Sequence, residues 1–476
     1  MENSITLPTI YPVACHTDNV GPGSAYVAIK GDTHDGADFI PLALDKGADM
    51  IVVQRNTKLS TELRNRMKRT AVRLMWVDNP REMLAVLSAL AASLPATRLC
   101  VIGVTGTKGK TTSTFLLAHL LEAAGFKVAM LSGVKNRILG QEFSTTLTTQ
   151  HPDYIQQFFK VCVEQGVTHV VMEVAAQAAS LHRVAGMYFD GLLFTNFSQE
   201  HGEFYRSMDE YFAAKRSLFS QRVNPKGVAL VNGDDAACAP LAMHYDYCHQ
   251  FSRHHDALVR GEVTGTAAGV HGTMKIGSTT YVLDCPALTG DFNATNVLGA
   301  AGMAAIFRVS PEDITRGLQS FAGVPGRLER HTFSNGASCY IDYAHNPSSY
   351  EAVLSTLRPM TDHLIVVFGA GGDREAGKRP IMGTIAANYA DVVVLTSDNP
   401  RSEDPAAIID AITAGISAEQ QHKVIREVDR ALAIRKAYER SRAGSVVVLL
   451  GKGPDEYQIV GTTKTPFSEA AIIRSL

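Results

Sequence analysis

The fold assignment depends on one stretch, Gly103-Val-Thr-Gly-Thr-Lys-Gly-Lys-Thr-Thr112. An apolar run, Leu99 to Val104, precedes it, and a helix-forming run begins near Thr111. In such a strand-to-helix turn, glycines let the backbone curl so that successive N–H groups point at a polyphosphate, and a lysine adds positive charge. The stretch therefore predicts a loop that binds the phosphates of ATP, formed by Gly106, Thr107, Lys108, Gly109, Lys110, Thr111 and Thr112.

The loop differs from the strict pattern GxxxxGK[ST], because the first position of that pattern falls on Val104. A hydroxyl at Thr111 or Thr112 can still ligate Mg²⁺ beside the bound phosphates. An ordinary glycine-rich turn is the alternative. The apolar strand before the loop and the helix after it favour the phosphate loop.

The composition excludes several classes of function. The chain has 476 residues, of which 45% are hydrophobic and 19% charged, and its formal net charge is -2. This balance favours small-molecule substrates over nucleic acid or a membrane surface. The N-terminus lacks a signal-peptide pattern, so we expect a cytoplasmic protein, with a monomer as the default because no heptad seam is present. Seven scattered cysteines without a CxxC indicate neither a disulfide framework nor a zinc site.

Turn-forming residues and the periodicity of apolar residues predict three domains in an α/β chain. A small N-terminal α/β domain is expected over 1–97, a central domain with a parallel sheet and a mononucleotide-binding loop over 98–327, and a Rossmann-like α/β domain over 328–476. The first of these is expected to contain a helix over Glu82 to Leu94. Alternating apolar strands and helices imply right-handed crossovers and a mostly parallel sheet. A β-rich insertion is expected at about 250–285, and the histidines of 244–255 are interpreted as a solvated loop.

Three apolar strands are expected in the last block, over Leu364 to Phe368, Asp391 to Leu395 and Val446 to Leu450, and each ends in a polar loop. These loops are Gly369 to Asp373, Ser397 to Arg401 and Gly451 to Gly453. Because ligands of open α/β sheets bind at the carboxyl ends of the strands, we expect the loops to form the floor of a site.

Four motifs in sequence give the chain a resemblance to the ATP-dependent Mur ligases. The phosphate loop matches the form GxxGTxGKTT of that family, and Gly290-Asp-Phe-Asn-Ala-Thr-Asn296 resembles its GxFNxxN element. Gly323-Val-Pro-Gly-Arg-Leu-Glu329 and Asp342-Tyr-Ala-His-Asn-Pro347 resemble its GVPGRxE and DYAHxP elements. The resemblance implies an amide-forming ligase that phosphorylates a carboxylate with ATP and transfers the acyl group to an amine.

The same resemblance implies roles for individual residues. It gives Lys110, Glu173, Lys215, His201 and Arg327 catalytic functions, and it implies that Asn293, Arg327, Asp342 and His345 contact the nucleotide. Thr111, Glu173 and a carbamoylated Lys215 are the implied Mg²⁺ ligands. From the residues alone, an acid at the end of a buried strand, as Glu173 is, already favours a metal ligand in a nucleotide fold.

The last block resembles the members of the family that add a diamino acid to UDP-N-acetylmuramoyl-L-Ala-D-Glu in peptidoglycan synthesis. Gly371-Gly-Asp-Arg374, the run Thr396 to Pro405 and Gly451-Lys-Gly453 carry that likeness. A second carboxylate on the amino acid, as in meso-diaminopimelate, suits the bidentate guanidinium of an arginine. The expected substrate-binding residues are Gln177, Arg183, Arg379, Asp398, Asn399, Arg401, Gly451 and Asp455.

The chain departs from the family at three places. Where the family has EVSSHA, this chain has Glu173-Val-Ala-Ala-Gln-Ala178. Where the family has DSRxVxPG, this chain has His16-Thr-Asp-Asn-Val-Gly-Pro-Gly23. The family's GHE is replaced by Gly453-Pro-Asp455. The changes leave open a paralogue that joins an amino acid to a different carboxylate. A non-catalytic nucleotide-binding protein is the alternative of another class.

Overall fold

The computed structural model describes residues 4–198 and 204–476. Packing divides the chain into two compact units. The first contains the residues up to Val263 together with Gly272–Leu283 and Thr295–Leu318, and the second contains Thr264–His271, Asp284–Ala294 and Gln319–Leu476.

A small parallel sheet opens the first unit. Its strands, in spatial order, are β1 (Val13–Ala14), β2 (Ala25–Val27), β3 (Met50–Gln54) and β4 (Arg73–Val77). Its helices are α1 (Ile40–Asp45), α2 (Thr61–Arg69) and α3 (Pro80–Ala91). The side chain of Asn79 caps α3 by accepting from the N–H groups of Arg81 and Glu82, and Pro80 fits the first turn, whose N–H groups lack helical partners.

A larger sheet carries the phosphate loop. In chain order its strands are β5 (Cys100–Thr105), β6 (Val128–Leu131), β7 (Asn136–Ile138), β8 (Gln141–Phe143), β9 (His169–Glu173), β10 (Phe189–Phe194), β11 (Val223–Asn232), β12 (Cys248–Ser252), β13 (Val259–Thr266), β14 (Gly269–Ile276) and β15 (Thr279–Cys285). Their spatial order is β15-β14-β13-β12-β11-β10-β5-β9-β6-β7-β8. Strand β5 pairs in parallel with β9 and β10, so the carboxyl ends of these three strands meet at one edge.

Helices follow most of these strands. They are α4 (Lys110–Ala123), α5 (Pro152–Glu164), α6 (Ala176–Ser180), α7 (Met208–Arg222), α8 (Leu241–His244), α9 (Asp291–Ile306) and α10 (Pro311–Ser320). The apolar residues of β5 and β9 are fully buried because helices cover both faces of the sheet. Such burial explains why these strands read as continuous apolar runs.

The second unit is built on a six-stranded sheet. In spatial order its strands are β16 (Glu329–Thr332), β17 (Ser338–Asp342), β21 (Val446–Leu450), β18 (Leu364–Phe368), β19 (Val392–Leu395) and β20 (Val424–Arg426). Neighbouring strands run parallel, except that β16 and β17 are antiparallel. A hairpin of β22 (Tyr457–Val460) and β23 (Thr463–Pro466) follows. The helices are α11 (Pro347–Leu357), α12 (Lys378–Tyr389), α13 (Pro405–Thr413), α14 (Arg430–Arg440) and α15 (Glu469–Arg474).

The predicted fold class is confirmed: the chain is α/β, with a small N-terminal sheet, a mostly parallel central sheet and a Rossmann-like C-terminal sheet. The boundaries 1–97, 98–327 and 328–476 stay a prediction. The interpretation of 244–255 as a loop was wrong in part, because Cys248–Ser252 pairs with β11. Within the described residues, no helix is long and apolar enough to cross a membrane.

Candidate active site

The phosphate loop joins the end of β5 to the start of α4. Gly106 and Gly109 have φ values of +150° and +80°, which side-chain-bearing residues rarely adopt. A Cβ added at Gly106 would lie 1.9 Å from Thr195 Oγ1, and one at Gly109 would lie 2.2 Å from Asn296 Oδ1. The two glycines are therefore required by both conformation and space, which agrees with a backbone that curls around phosphate.

Two lysines converge on this loop. Lys110 Nζ donates to the carbonyl oxygens of Gly106 at 3.0 Å and Thr107 at 2.8 Å. Lys215, on α7, donates from Nζ to the Gly106 carbonyl at 2.6 Å, and only 1% of the residue is exposed. The loop thus has the amino groups of two lysines beside the backbone that is expected to hold a polyphosphate.

Glu173 lies at the carboxyl end of β9, next to the loop. Its Oε2 accepts from the Thr111 hydroxyl at 3.1 Å, and its Oε1 accepts from the N–H of Gly133 at 2.9 Å. Thr111 and Glu173 are both buried. Sequence reasoning predicted these two as metal ligands, and the structure brings them within one hydrogen bond of each other.

The donor set suits Mg²⁺ bound with a nucleotide. In the described part of the chain, no group of three His, Cys, Asp or Glu side chains could hold a metal by itself. Mg²⁺ in phosphate-transfer sites takes one or two carboxylates and completes its shell with phosphate oxygens and water. One carboxylate, one hydroxyl and the adjoining phosphate loop fit that requirement.

Arg183 marks the expected acceptor side of the first unit. Its Nη1 donates to the Thr149 carbonyl at 2.7 Å, and its buried Nε has no partner among the described residues. The Thr149 hydroxyl donates to the Glu173 carbonyl at 3.0 Å and accepts from the Ala175 N–H at 3.0 Å. Sequence reasoning missed Thr149, which connects Arg183 to the Glu173 segment.

Other cationic groups face the same region. Burial lowers the pKa of His151, and the positive charges of Arg183 and Arg81 act in the same direction. Asp153 is the carboxylate that opposes them, and its Oδ2 accepts from the Cys15 N–H at 3.0 Å. The region is therefore suited to an anionic substrate.

Two of the three departures from the family, at residues 16–23 and 175–177, lie in the same unit as Arg183. The side chains of His16 and Asp18 are 70% and 78% exposed, and Lys46 Nζ lies 3.7 Å from Asp18. Ala176 packs with Tyr205 and Tyr211 in an apolar cluster. Gln177 is half-buried in α6. The expected catalytic residue His201 lies outside the described residues.

Of the expected nucleotide residues in the second unit, Arg327 lies just before β16, Asp342 and His345 lie at and after the end of β17, and Asn293 lies in α9. Asp342 accepts from the N–H groups of Leu328 and Ala344, both at 2.8 Å, and burial raises its pKa against the opposing charge of Arg327. The Arg327 guanidinium lies over the Tyr343 ring, 4.9 Å from its centre.

The other two expected nucleotide residues bond to nearby backbone. Asn293 Nδ2 donates to the Thr289 carbonyl at 2.8 Å, and His345 Nδ1 lies 2.8 Å from the Tyr343 carbonyl oxygen.

The expected amino-acid residues meet where β18, β19 and β21 end. Arg401, at φ +51°, donates from Nη1 to the Gly372 carbonyl at 2.7 Å. Asp398 and Asn399 are buried, and a Cβ added at Gly451 would lie 2.4 Å from Asp398 Oδ2. Asp455 is half-buried, and burial raises its pKa. The structure therefore brings these predicted residues to one edge of the sheet.

Arg379 is already engaged at this edge. Its Nη1 and Nη2 donate to the two carboxylate oxygens of Glu403, each at 2.8 Å, and these bonds lower the pKa of Glu403 to about 2. Sequence reasoning missed Glu403, although it lies in the quoted run Thr396 to Pro405. In this arrangement Arg379 holds the loop that contains Glu403 through three hydrogen bonds to Glu403 and Gly371. The Arg401 guanidinium donates one hydrogen bond, to the Gly372 carbonyl.

Comparisons with known proteins cover nearly the whole chain. Three family models match it: "Mur ligase family, catalytic domain" over residues 9–91, "Mur ligase middle domain" over 104–304, and "Mur ligase, glutamate ligase domain" over 326–453. The UDP-N-acetylmuramoyl-L-alanyl-D-glutamate–2,6-diaminopimelate ligase of Gloeobacter violaceus is 38% identical over 468 residues, which are 97% of this chain and 93% of that protein. The same enzyme of Geobacillus kaustophilus is 34% identical over 489 residues, 98% and 95% of the two chains.

Solved structures agree with these matches. A UDP-N-acetylmuramoyl-L-alanyl-D-glutamate–2,6-diaminopimelate ligase superposes with a TM-score of 0.68 at 27% identity, covering 98% of this chain and 94% of that one. A folylpolyglutamate synthase of Mycobacterium tuberculosis superposes with a TM-score of 0.62 at 16% identity, over 78% of this chain and 96% of its own. The second likeness concerns the fold alone.

Proposed function

Because the chain belongs to the Mur ligase family, we propose that it is an ATP-dependent, ADP-forming ligase of peptidoglycan synthesis. Its proposed reaction joins meso-diaminopimelate to UDP-N-acetylmuramoyl-L-Ala-D-Glu. The observation that carries the proposal is the convergence of Lys110, Lys215, Thr111 and Glu173 at the phosphate loop. Relatives with 34–38% identity over nearly full length, named for this reaction, support the choice of substrates.

The proposed chemistry has two steps. The acceptor carboxylate attacks the γ-phosphorus of ATP, so that a C–O–P bond forms and ADP leaves. The amine of the incoming amino acid then attacks the acyl carbon, phosphate leaves with its electron pair, and the nitrogen loses a proton. Phosphorylation is needed because a free carboxylate is a poor electrophile.

The residues of the phosphate loop supply charge stabilisation in the first step. Lys110 is placed to move from its carbonyl partners to the phosphates, where it would stabilise the negative charge that develops during transfer. Thr111 and Glu173 would hold Mg²⁺, which, when bound, neutralises charge on the phosphate oxygens. Arg327, Asn293, Asp342 and His345 are assigned to the nucleotide, as the family implies.

Lys215 is proposed to act as its carbamate. An uncharged lysine amine can add CO₂ with release of one proton, which turns a cation into a carboxylate-like metal ligand. The remaining N–H of the carbamate could keep the present donation to the Gly106 carbonyl. The buried position of Lys215 beside the phosphate loop, with Nζ 2.6 Å from the Gly106 carbonyl oxygen, supports this role.

A second candidate differs only in the acceptor. The exposed carboxylate of Asp18 and the side chains of Ala175, Ala176 and Gln177 stand where the family carries DSR and SSH. These changes favour an acceptor carboxylate outside the nucleotide sugars. Assaying the purified protein with ATP, Mg²⁺, a panel of amino acids, and either the UDP-muramoyl dipeptide or the free dipeptide separates the candidates. Phosphate release that requires the uridine nucleotide supports the first; release with the free dipeptide alone supports the second.

Arg401 is assigned to the distal carboxylate of the amino acid. Arg401→Ala is expected to raise the KM for the amino acid by about ten- to a hundredfold, because a hydrogen bond to a charged group contributes about 1.5–3 kcal/mol. The KM for ATP should stay within about twofold, since the hydrogen bonds of Arg401 go to Gly372, Ile459 and Gly461 and to none of the residues assigned to the nucleotide. Steady-state kinetics measures both constants, and Arg426→Ala serves as an exposed control. Unchanged amino-acid kinetics in Arg401→Ala would remove this assignment.

We further propose a cytoplasmic monomer that acts on small molecules, without nucleic acid or membrane partners. The formal net charge of -2 supports the absence of a nucleic-acid partner. Sedimentation equilibrium is expected to give a mass near 51.3 kDa. A stable dimer at micromolar concentration would contradict the monomer.

A further inference from the structure

A fully buried arginine lies beneath two loops of the amino-acid site. Arg430, the first residue of α14, has a side chain with 0% exposure. Its Nη1 donates to the Ser397 carbonyl at 3.3 Å and its Nη2 to the Leu450 carbonyl at 2.9 Å. Ser397 directly precedes Asp398, and Leu450 directly precedes Gly451. One rigid guanidinium therefore joins the points where both loops leave the sheet.

The last helix supplies the counter-charge. Glu469, the first residue of α15, accepts from Arg430 Nε at 2.8 Å through Oε1, and its side chain is 2% exposed. Its Oε2 is buried and has no hydrogen-bond partner among the described residues. Desolvation makes a buried ion pair a poor source of stability compared with apolar residues of similar volume. The ion pair is therefore better explained by the two backbone carbonyl groups that it positions than by a contribution to the free energy of folding.

A second buried cation ties the same loops together. Lys452 has a side chain with 0% exposure, and its Nζ donates to Asn399 Oδ1 at 3.1 Å and lies 4.0 Å from Asp398 Oδ1. Asn399 Oδ1 also accepts from the N–H of Ile459 at 3.0 Å. The two loops are thus one hydrogen-bonded assembly, which is anchored to the sheet through Arg430.

We propose that Arg430 and Glu469 are positioning residues that set the spacing between the Ser397–Arg401 loop and the Gly451–Asp455 loop, and thereby the affinity for the amino acid. The proposal rests on the proposed function for its substrate and on the structure for its geometry. Neither residue contacts the amino acid. They act through the two carbonyl groups that precede Asp398 and Gly451.

A paired replacement tests the proposal without leaving a buried charge unpaired. In Arg430→Met/Glu469→Leu both charges are removed together, and such apolar replacements of buried ion pairs are often neutral or stabilising. The KM for the amino acid is expected to rise about tenfold or more, because misplacement by about 1 Å can cost a hundredfold in rate. The KM for ATP should change much less, because the hydrogen bonds of Arg430 go to Glu469, Ser397 and Leu450 and to none of the residues assigned to the nucleotide.

Amide hydrogen exchange gives a readout that needs no substrate. In the double variant the amides of Asp398–Arg401 and Gly451–Asp455 are expected to exchange about tenfold faster, which corresponds to about 1.4 kcal/mol of local opening. The amides of β18 should exchange as before. The matched control is Arg426→Met/Asp410→Asn, which removes an exposed ion pair of the same unit and should change neither quantity.

Two results would overturn the proposal: unchanged exchange in both loops, or faster exchange with an unchanged amino-acid KM. If the double variant does not fold, Arg430→Lys keeps the charge but loses the planar fork, and the same two measurements apply. If the unmodified protein ligates no amino acid to any acceptor, the proposed function fails, and loop exchange alone decides the positioning role.

Discussion

Lys110→Ala is expected to lower turnover by at least about a thousandfold, because charge that develops on a transferring phosphoryl group loses its nearest cation. Lys110 Nζ lies among the carbonyl groups of Gly106 and Thr107, within reach of the phosphates that the loop would bind. The fold should persist, since the side chain is only partly buried. Single-turnover release of ADP measures the loss in the chemical step.

The control for this variant is Lys127→Ala. Lys127 is exposed and follows the other end of α4, so its removal should leave turnover unchanged. Circular dichroism shows whether each variant is folded. Near-native ligation by a folded Lys110→Ala protein would contradict the assignment of Lys110 to phosphoryl transfer.

Lys215→Ala is expected to lower turnover by at least about a hundredfold, because the proposed carbamate and its metal contact are lost together. Added formate or acetate should restore part of the activity, since a small carboxylate can occupy the vacated space beside Gly106. In the unmodified protein, removal of dissolved CO₂ should reduce activity, and bicarbonate should return it.

The comparison for this prediction is Arg216→Ala, which removes an exposed cation one residue along the same helix. It should be neither inactivated nor stimulated by formate. Carboxylate stimulation of both variants would indicate a general salt effect. Full activity of Lys215→Ala without carboxylate would exclude the carbamate from the mechanism.

The sequence was most informative where local pattern and burial agree. β18 and β21 were predicted to the residue, because strands that are covered on both faces are continuous apolar runs. The phosphate loop was equally predictable, because its glycines are needed for the positive φ values of the loop itself.

Partners that are distant in sequence could not be predicted. Glu403 occupies the guanidinium of Arg379 from 24 residues away, and Glu469 pairs with Arg430 across 39 residues. No local periodicity indicates such a pair, because the two partners lie in different elements that only the packing of the chain brings together. The Cys15 N–H donates to Asp153 across 138 residues, and neither residue carried a signal in the sequence.

Helix bounds and mixed segments were also less predictable. The helix expected over Glu82 to Leu94 runs from Pro80 to Ala91, because the Asn79 cap sets its start and Ser93 and Leu94 adopt positive φ values. The histidine-rich segment hides strand β12, since the apolar residues that bury it, Cys248 and Phe251, are few and separated by polar ones.

The proposed reaction depends on activation of the acceptor carboxylate as an acyl phosphate. An acceptor whose reacting carboxyl group carries ¹⁸O, incubated with the protein, ATP, Mg²⁺ and the amino acid, tests it directly. Each phosphate released should contain one ¹⁸O atom, equal in amount to the amide formed, as measured by mass spectrometry. Amide formation with unlabelled phosphate would contradict the account, as would ATP hydrolysis without amide.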